Sequence, residues 1–226
     1  MKLTMVIDLS RCLGCWSCAV GCKLENNEPI GIWWNRILTN GASVGDTREM
    51  DTPVGTYPNL KQTYLPINCQ HCDNAPCVKV CPVAALRKRD DGIVFLDWSR
   101  CIGCRYCLVA CPYGIPAFNW QPPVQAPSDS QFQIGNPLVP VRPVGVAEKC
   151  TFCFQRVDVG NYTPKCIEVC PGGARFFGDL DDPNSEVSQL IQTKPTIRLR
   201  EDLGTEPSVY YVPPRNPAIK VPVSQT

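Results

Sequence analysis

The sequence predicts an α+β chain of two small interleaved modules joined by long irregular loops. Three observations predict it. A stretch recurs: IDLSRCLGCWSCAVGC, residues 7–22, lies over LDWSRCIGCRYCLVAC, residues 96–111, without a gap. The two share an Asp, a Ser-Arg pair, a Gly, a Val and all four cysteines, so the repeat is built on cysteine. The sixteen cysteines form four groups of four with none left over. Finally, 23 prolines and 16 glycines in 226 residues demand many turns and leave little room for long helix.

The groups are C-x2-C-x2-C-x3-C (Cys12, Cys15, Cys18, Cys22), C-x2-C-x4-C-x3-C-P (Cys69, Cys72, Cys77, Cys81), the first spacing again with a following proline (Cys101, Cys104, Cys107, Cys111), and C-x2-C-x12-C-x3-C-P (Cys150, Cys153, Cys166, Cys170). A disulfide scaffold needs Cα atoms usually about 4.4–6.8 Å apart with suitable Cβ directions. Three cysteines within seven residues do not readily pair among themselves, and such scaffolds are usually shorter secreted chains. Zinc suits the fourth group taken alone, because two thiolate pairs enclose a tetrahedral ion, but it leaves the third cysteine of a C-x2-C-x2-C run unexplained. A [4Fe–4S] cube explains the spacing: the tight run reaches three iron corners, and the fourth cysteine, followed by proline, ligates the other cluster of a pair.

That rule assigns ligands. Groups two and three pair, so Cys69, Cys72, Cys77 and Cys111 hold one cube, and Cys81, Cys101, Cys104 and Cys107 another. Groups one and four pair across the chain, so Cys12, Cys15, Cys18 and Cys170 hold a third cube, and Cys22, Cys150, Cys153 and Cys166 a fourth. The fold is then two interleaved bacterial-ferredoxin-like modules. Residues 1–66 with 144–183 form the outer module, 67–143 the inserted one with a proline-rich loop, and 184–226 a C-terminal helix, strand and extended tail.

In chain order, Leu3–Asp8 reads as a strand of the outer module. Residues 23–68 carry turn signals at Gly41, Gly45, Pro53, Gly55 and Pro58 and a Trp33-Trp34 pair, and read as loop. Leu86–Lys88 and Ile93–Asp97 flank Asp91-Gly92 and read as a hairpin. Residues 112–149, rich in proline, read as a second loop. Both loops serve either to shield clusters from water or to dock partner subunits. In DDPNSEVSQLIQT, Asp182 is the expected N-cap, Pro183 opens the first turn, and Val187, Leu190 and Ile191 form a core stripe. Ser208–Val212 reads as a strand.

The net charge of +1 shows no basic surplus for nucleic acid. No apolar run reaches the ~18 residues of a membrane span. The opening MKLTMVIDLSRC lacks a signal-peptide core, which predicts the cytoplasm or export with a signal-bearing partner. His71, the one histidine, sits inside a cysteine loop. It is expected to hydrogen-bond near a cluster rather than ligate iron, and a Ser-His-Asp site is disfavoured. No Walker or dinucleotide glycine motif is present. Arg11, Arg100, Arg105 and Lys149 adjoin the cysteines and read equally as counter-charges or as solvated surface.

CLGCWSCAVGC, CQHCDNAPCVKVCP, CIGCRYCLVACPYG and EKCTFCFQR…CIEVCP, in that order, together with RFFGDLDDPNSEVSQLI and GTEPSVYYVP, resemble the four-cluster iron–sulfur subunit of molybdopterin oxidoreductases of the dimethyl-sulfoxide-reductase type, among them arsenate, tetrathionate and polysulfide reductases. The resemblance implies a non-catalytic subunit that relays single electrons between a large molybdopterin (Mo or W) subunit and a quinone-linked membrane anchor or another redox partner. No small-molecule substrate touches it. It implies a wire order, with the cube of Cys12, Cys15, Cys18 and Cys170 nearest the catalytic subunit and that of Cys81, Cys101, Cys104 and Cys107 at the far end. It also implies membrane association through partners, outside the cytoplasm by co-export; cytoplasmic members are the alternative. Similar nitrate reductase subunits carry Trp where this chain has Cys104, and a [3Fe–4S] cluster there. A free-standing polyferredoxin is the competing function, and the long loops favour the subunit.

Overall fold

The computed structural model describes residues 1–39, 56–59, 62–123 and 135–214. In chain order the elements are β1 (Leu3–Asp8), α1 (Ser17–Glu25), β2 (Arg36–Thr39), β3 (Tyr64–Ile67), α2 (Pro76–Lys79), β4 (Leu86–Lys88), β5 (Val94–Leu96), α3 (Tyr106–Ala110), β6 (Ala117–Phe118), β7 (Ala147–Glu148), α4 (Phe154–Val157), α5 (Lys165–Glu168), β8 (Arg175–Asp179), α6 (Glu186–Thr193) and β9 (Val209–Val212). Four of the six helices are only four or five residues long, too short to persist without tertiary support.

β1 is buried along its whole length. It runs antiparallel to β8, with Leu3 opposite Asp179 and Ile7 opposite Arg175, and parallel to β9, with Met5 opposite Val209. The chain's first strand is thereby joined to the segment that follows the fourth cysteine group. α1 packs on α5 and α2 on α3, so each helix of one cysteine group meets the helix of its expected partner group. The expected hairpin is present as β4–β5. At its turn Gly92 is left-handed (φ 88°), the Asp91 carboxylate accepts from Ile93 N–H at 3.0 Å, and the Asp91 carbonyl accepts from Leu3 N–H at 2.9 Å, which ties the hairpin to β1.

Three expectations need adjustment. The N-cap of α6 is Ser185, whose hydroxyl accepts from Ser188 N–H. Asp182 instead accepts from Asn184 N–H and ends the preceding turn, so the helix begins one turn later than the proline suggests. Its stripe does pack inward: Val187 is fully buried with Val6 and Val212, and Leu190 and Ile191 lean on them. The stretches read as loop contain the short hairpins β2–β3 and β6–β7; Pro66 inside β3 and the brevity of β6 and β7 hid them. Within Ser208–Val212, the strand starts at Val209. The turn signals at Gly41, Gly45, Pro53 and Gly55, and the tail beyond residue 214, lie outside the described residues. Among the described residues no helix is long and apolar enough to cross a membrane.

One continuous apolar core runs through the molecule, and many of its members are cysteines.

Candidate metal centres

The leading C-x2-C pair of each group closes a turn whose second spacer is left-handed: Gly14 (φ 67°), His71 (44°), Gly103 (71°) and Phe152 (53°). The turn aims backbone N–H groups inward, so Cys12 is hydrogen-bonded by the Gly14 amide and Cys150 by the Phe152 amide. Elsewhere Ala174 N–H donates to Cys170 Sγ at 3.3 Å, and the Asn26 amide donates to Cys22 Sγ at 3.5 Å and Cys153 Sγ at 3.9 Å. Donors of this kind favour sulfur in its anionic form.

The thiols gather in four sets. Cys12, Cys15, Cys18 and Cys170 line one cavity. Cys22 is coupled to Cys150, Cys153 and Cys166. Cys69, Cys72, Cys77 and Cys111 line a second cavity. Cys107 is coupled to Cys101, Cys104 and Cys81. The last cysteine of each group thus leaves its own three companions and stands with the partner group. The sets also follow one another within electrostatic reach. Cys18 of the first is coupled to Cys166 of the second, Cys69 of the third to Cys150 of the second, and the α2–α3 contact joins the third to the fourth.

Burial differs along this row. The second set is wholly buried; the first includes the exposed Cys15, and the fourth has three half-buried members. All sixteen are free thiols. Burial pushes Cys72, Cys77 and Cys153 up to about 12 and Cys107 to about 11, with neighbouring thiols adding to it. Cys22 and Cys150 go well above the ordinary thiol value for the same reason. Cys15 goes the other way through the Ser17 hydroxyl at 3.4 Å. Buried thiolates in such numbers need cations, and iron supplies them on binding. Among the described residues no three ligand-type side chains close on a single ion; in the first and third sets the cysteines line cavity walls. Four-thiolate sets with amide donors aimed at the sulfurs fit [4Fe–4S] cubes.

His71 is fully buried, its ring stacked on Phe152 with centroids 3.6 Å apart. Burial, then Lys149 and Lys88, hold its pKa well below the usual value, so it is neutral. Nδ1 accepts from Val94 N–H at 3.0 Å, which puts the proton on Nε2, an atom with no partner among the described residues. Of the four cations singled out beside the cysteines, Arg11, Arg100 and Arg105 are solvent-exposed, whereas Lys149 is 2% exposed. Arg175, 3% exposed, gave no local signal beyond being a charge at the head of an apolar strand. A separate cavity of about 360 Å³ is lined by Trp34, Phe95, Trp98, Pro140 and Phe154 among others and has no cysteine in its lining; it is not the metal centre.

Two family models, each described as a 4Fe-4S dicluster domain, match residues 60–127 and 100–174. A Halobacterium salinarum protein named as a dimethyl sulfoxide reductase iron–sulfur subunit is 52% identical over 92% of this chain and 78% of its own length. The arsenate respiratory reductase iron–sulfur subunit of a Shewanella species is 39% identical over 94% of this chain and 96% of its own. A selenate reductase subunit of Mesobacillus selenatarsenatis is 39% identical over 92% and 70%. The sixteen cysteines are the number that four cubes require, and [4Fe–4S] clusters are electron-transfer groups. With its dicluster motifs in place and identities of this size across nearly its whole length, the chain belongs to the iron–sulfur subunits of molybdopterin oxidoreductases of the dimethyl-sulfoxide-reductase type.

Proposed function

We propose that this chain relays single electrons through four [4Fe–4S] clusters, between a molybdopterin catalytic subunit carrying molybdenum or tungsten and a quinone-linked membrane anchor or another redox partner. The ligands are the four sets: Cys12, Cys15, Cys18 and Cys170; Cys22, Cys150, Cys153 and Cys166; Cys69, Cys72, Cys77 and Cys111; Cys81, Cys101, Cys104 and Cys107. The modules follow the same division, with 1–66 and 144–183 outside and 67–143 inserted. When bound, the cubes supply one-electron chemistry. The chain's own residues fix their order, exclude water and set the charge around them.

The observation that carries this reading is the row of sets, each within electrostatic reach of the next, with buried thiols in the middle and accessible ones at the ends. A relay needs that arrangement: close spacing inside, access at two separate places. Apolar side chains are exposed at both ends. Leu13 and Val20 flank the first set, and Ile102, Tyr106 and Val109, the last 89% exposed, flank the fourth. Exposed apolar groups of this kind suit protein docking. The first set faces the catalytic subunit and the fourth faces the anchor side. The complex sits on the membrane through its partners, outside the cytoplasm by co-export; the alternative is cytoplasmic.

The test is anaerobic purification from the source. About sixteen iron and sixteen sulfide, four of each per cube, should accompany the chain, together with a large pterin-containing subunit. Stoichiometric zinc, or half that iron, sinks the four-cluster reading. Full iron in a chain that purifies alone favours the free-standing polyferredoxin.

A further inference from the structure

Arg142 shows what a buried cation ordinarily requires. It is 5% exposed and paired at 2.9 Å with the buried carboxylate of Glu148. Arg175 is as buried, yet among the described residues none of its hydrogen-bond partners is a carboxylate. Its guanidinium donates to Asn35 Oδ1 at 2.9 Å, Asn68 Oδ1 at 3.3 Å, Met5 Sδ at 3.6 Å and Cys166 Sγ at 3.8 Å. Tyr211 is no counter-ion either, because burial pushes its phenol up to about 12. Lys149 repeats the pattern. Its ammonium donates to the carbonyls of Val94 and Cys150. Burying an unpaired charge is expensive, so each cation implies an anion in reach.

Their positions say which anions. Arg175 lines the cavity of Cys12, Cys15, Cys18 and Cys170 while donating to Cys166, so it stands between the first and second sets. Lys149 lines the cavity of Cys69, Cys72, Cys77 and Cys111 while bonding the carbonyl of Cys150, so it stands between the second and third. We propose that Arg175 and Lys149 are the internal counter-charges of the relay, Arg175 for the first and second clusters and Lys149 for the second and third, and that each raises the reduction potential of the two clusters it separates. The sign follows from charge: reduction adds an electron to the cube, and a nearby buried cation favours the more negative state. This inference rests on the ligand sets proposed above.

The test is a redox titration of anaerobically purified holo-protein followed by electron paramagnetic resonance, which needs no assignment of signals. Wild type should give four one-electron waves. Arg175→Met should move two of them to lower potential, Lys149→Met should move two, and one wave should respond to both. A tenfold change in a reduction equilibrium, about 59 mV for one electron, is the size expected. Arg175→Lys and Lys149→Arg, which keep the charge, should leave all four in place. Four wild-type waves with no selective shift, with all four shifting together, or with no common wave overturn the inference alone; fewer than four in wild type overturn the ligand sets and the inference with them. If the neutral variants lose iron, the charge-keeping pair carries the test, and loss of iron or equal displacement there shows that shape rather than charge is at work.

Discussion

The end sets and the middle sets are built on the same turn and filled differently. At the ends, the left-handed spacer of the leading C-x2-C is glycine, Gly14 and Gly103. In the middle it is a ring, His71 and Phe152, held at φ 44° and 53°, a conformation that bulky residues rarely adopt. The reason lies in what surrounds each turn. A Cβ on Gly14 would sit 2.3 Å from the Tyr64 ring, and one on Gly103 would sit 2.5 Å from the Gly145 carbonyl oxygen. A larger residue fits there only if these neighbours move. The middle turns face each other instead, and their two rings stack at 3.6 Å between the second and third sets. Backbone strain at two residues is offset by filling the centre of the molecule.

This comparison can be broken from the inside. Phe152→Ala removes a ring that is 1% exposed and packs on both His71 and Phe177. A buried Phe→Ala change costs about 3–5 kcal/mol, and relief of strain recovers little because Ala also disfavours this φ. The anaerobic melting temperature should fall sharply. Iron should be lost from the two middle sets first. A variant that melts like wild type would show that the stack carries no structural weight.

The ends are sharpened by comparing their two glycines. Gly14→Ala and Gly103→Ala share the same left-handed strain, about 1–2 kcal/mol. They differ in what they strike. Tyr64 is a half-buried side chain that can swing away, whereas the carbonyl of Gly145 is backbone. Gly103→Ala should therefore be the worse by about 1–3 kcal/mol, the usual range for overpacking. Equal melting temperatures would mean that the strain alone matters at both ends.

The recurring letters at residues 7–22 and 96–111 are legible in the sequence for this reason: both ends need glycine at the same step, and both cap a helix with a left-handed residue, Trp16 or Arg105. The middle turns share the conformation but not the letters, because packing against each other selected aromatic residues. Cysteine spacing is legible for another reason: it encodes reach along the chain, and the proposed ligand sets were assigned on that ground. Arg175 was invisible because most of its partners are distant in sequence: Met5 meets it only after β1 and β8 pair, and Asn35 and Asn68 only in the folded core. Short hairpins such as β6–β7 were hidden for a similar reason, each strand being two residues long.

A smaller effect separates the chemistry of the middle stack from its bulk. His71→Phe keeps a ring on Phe152 but removes the acceptor for Val94 N–H. An orphaned buried donor costs about 1 kcal/mol or more, and the retained ring holds the loss near that lower end. The Val94 amide should exchange faster in hydrogen exchange while the global melt moves only slightly. Unchanged exchange would show that the hydrogen bond does not form in solution.

The smallest effect on stability belongs to the open end, and it is the most specific. Cys104 is half-buried in the fourth set, beside exposed Ile102, Arg105 and Tyr106. A change there disturbs little packing, so Cys104→Ser should melt within about 0.5 kcal/mol of wild type, the usual span for surface positions. Its consequence is chemical: with three thiolates instead of four, one corner of one cube has no protein ligand. Iron should fall by about one per chain, and the oxidised variant should gain a [3Fe–4S] signal while the other three clusters stay as they are. The same substitution at Cys153, in the wholly buried second set, should cost far more stability for the same loss of one ligand. Oxidised wild type, prepared anaerobically, should show no stoichiometric [3Fe–4S] signal. A strong signal there would mean that Cys104 is not a ligand, and that the pairing of the second and third cysteine groups fails at this corner.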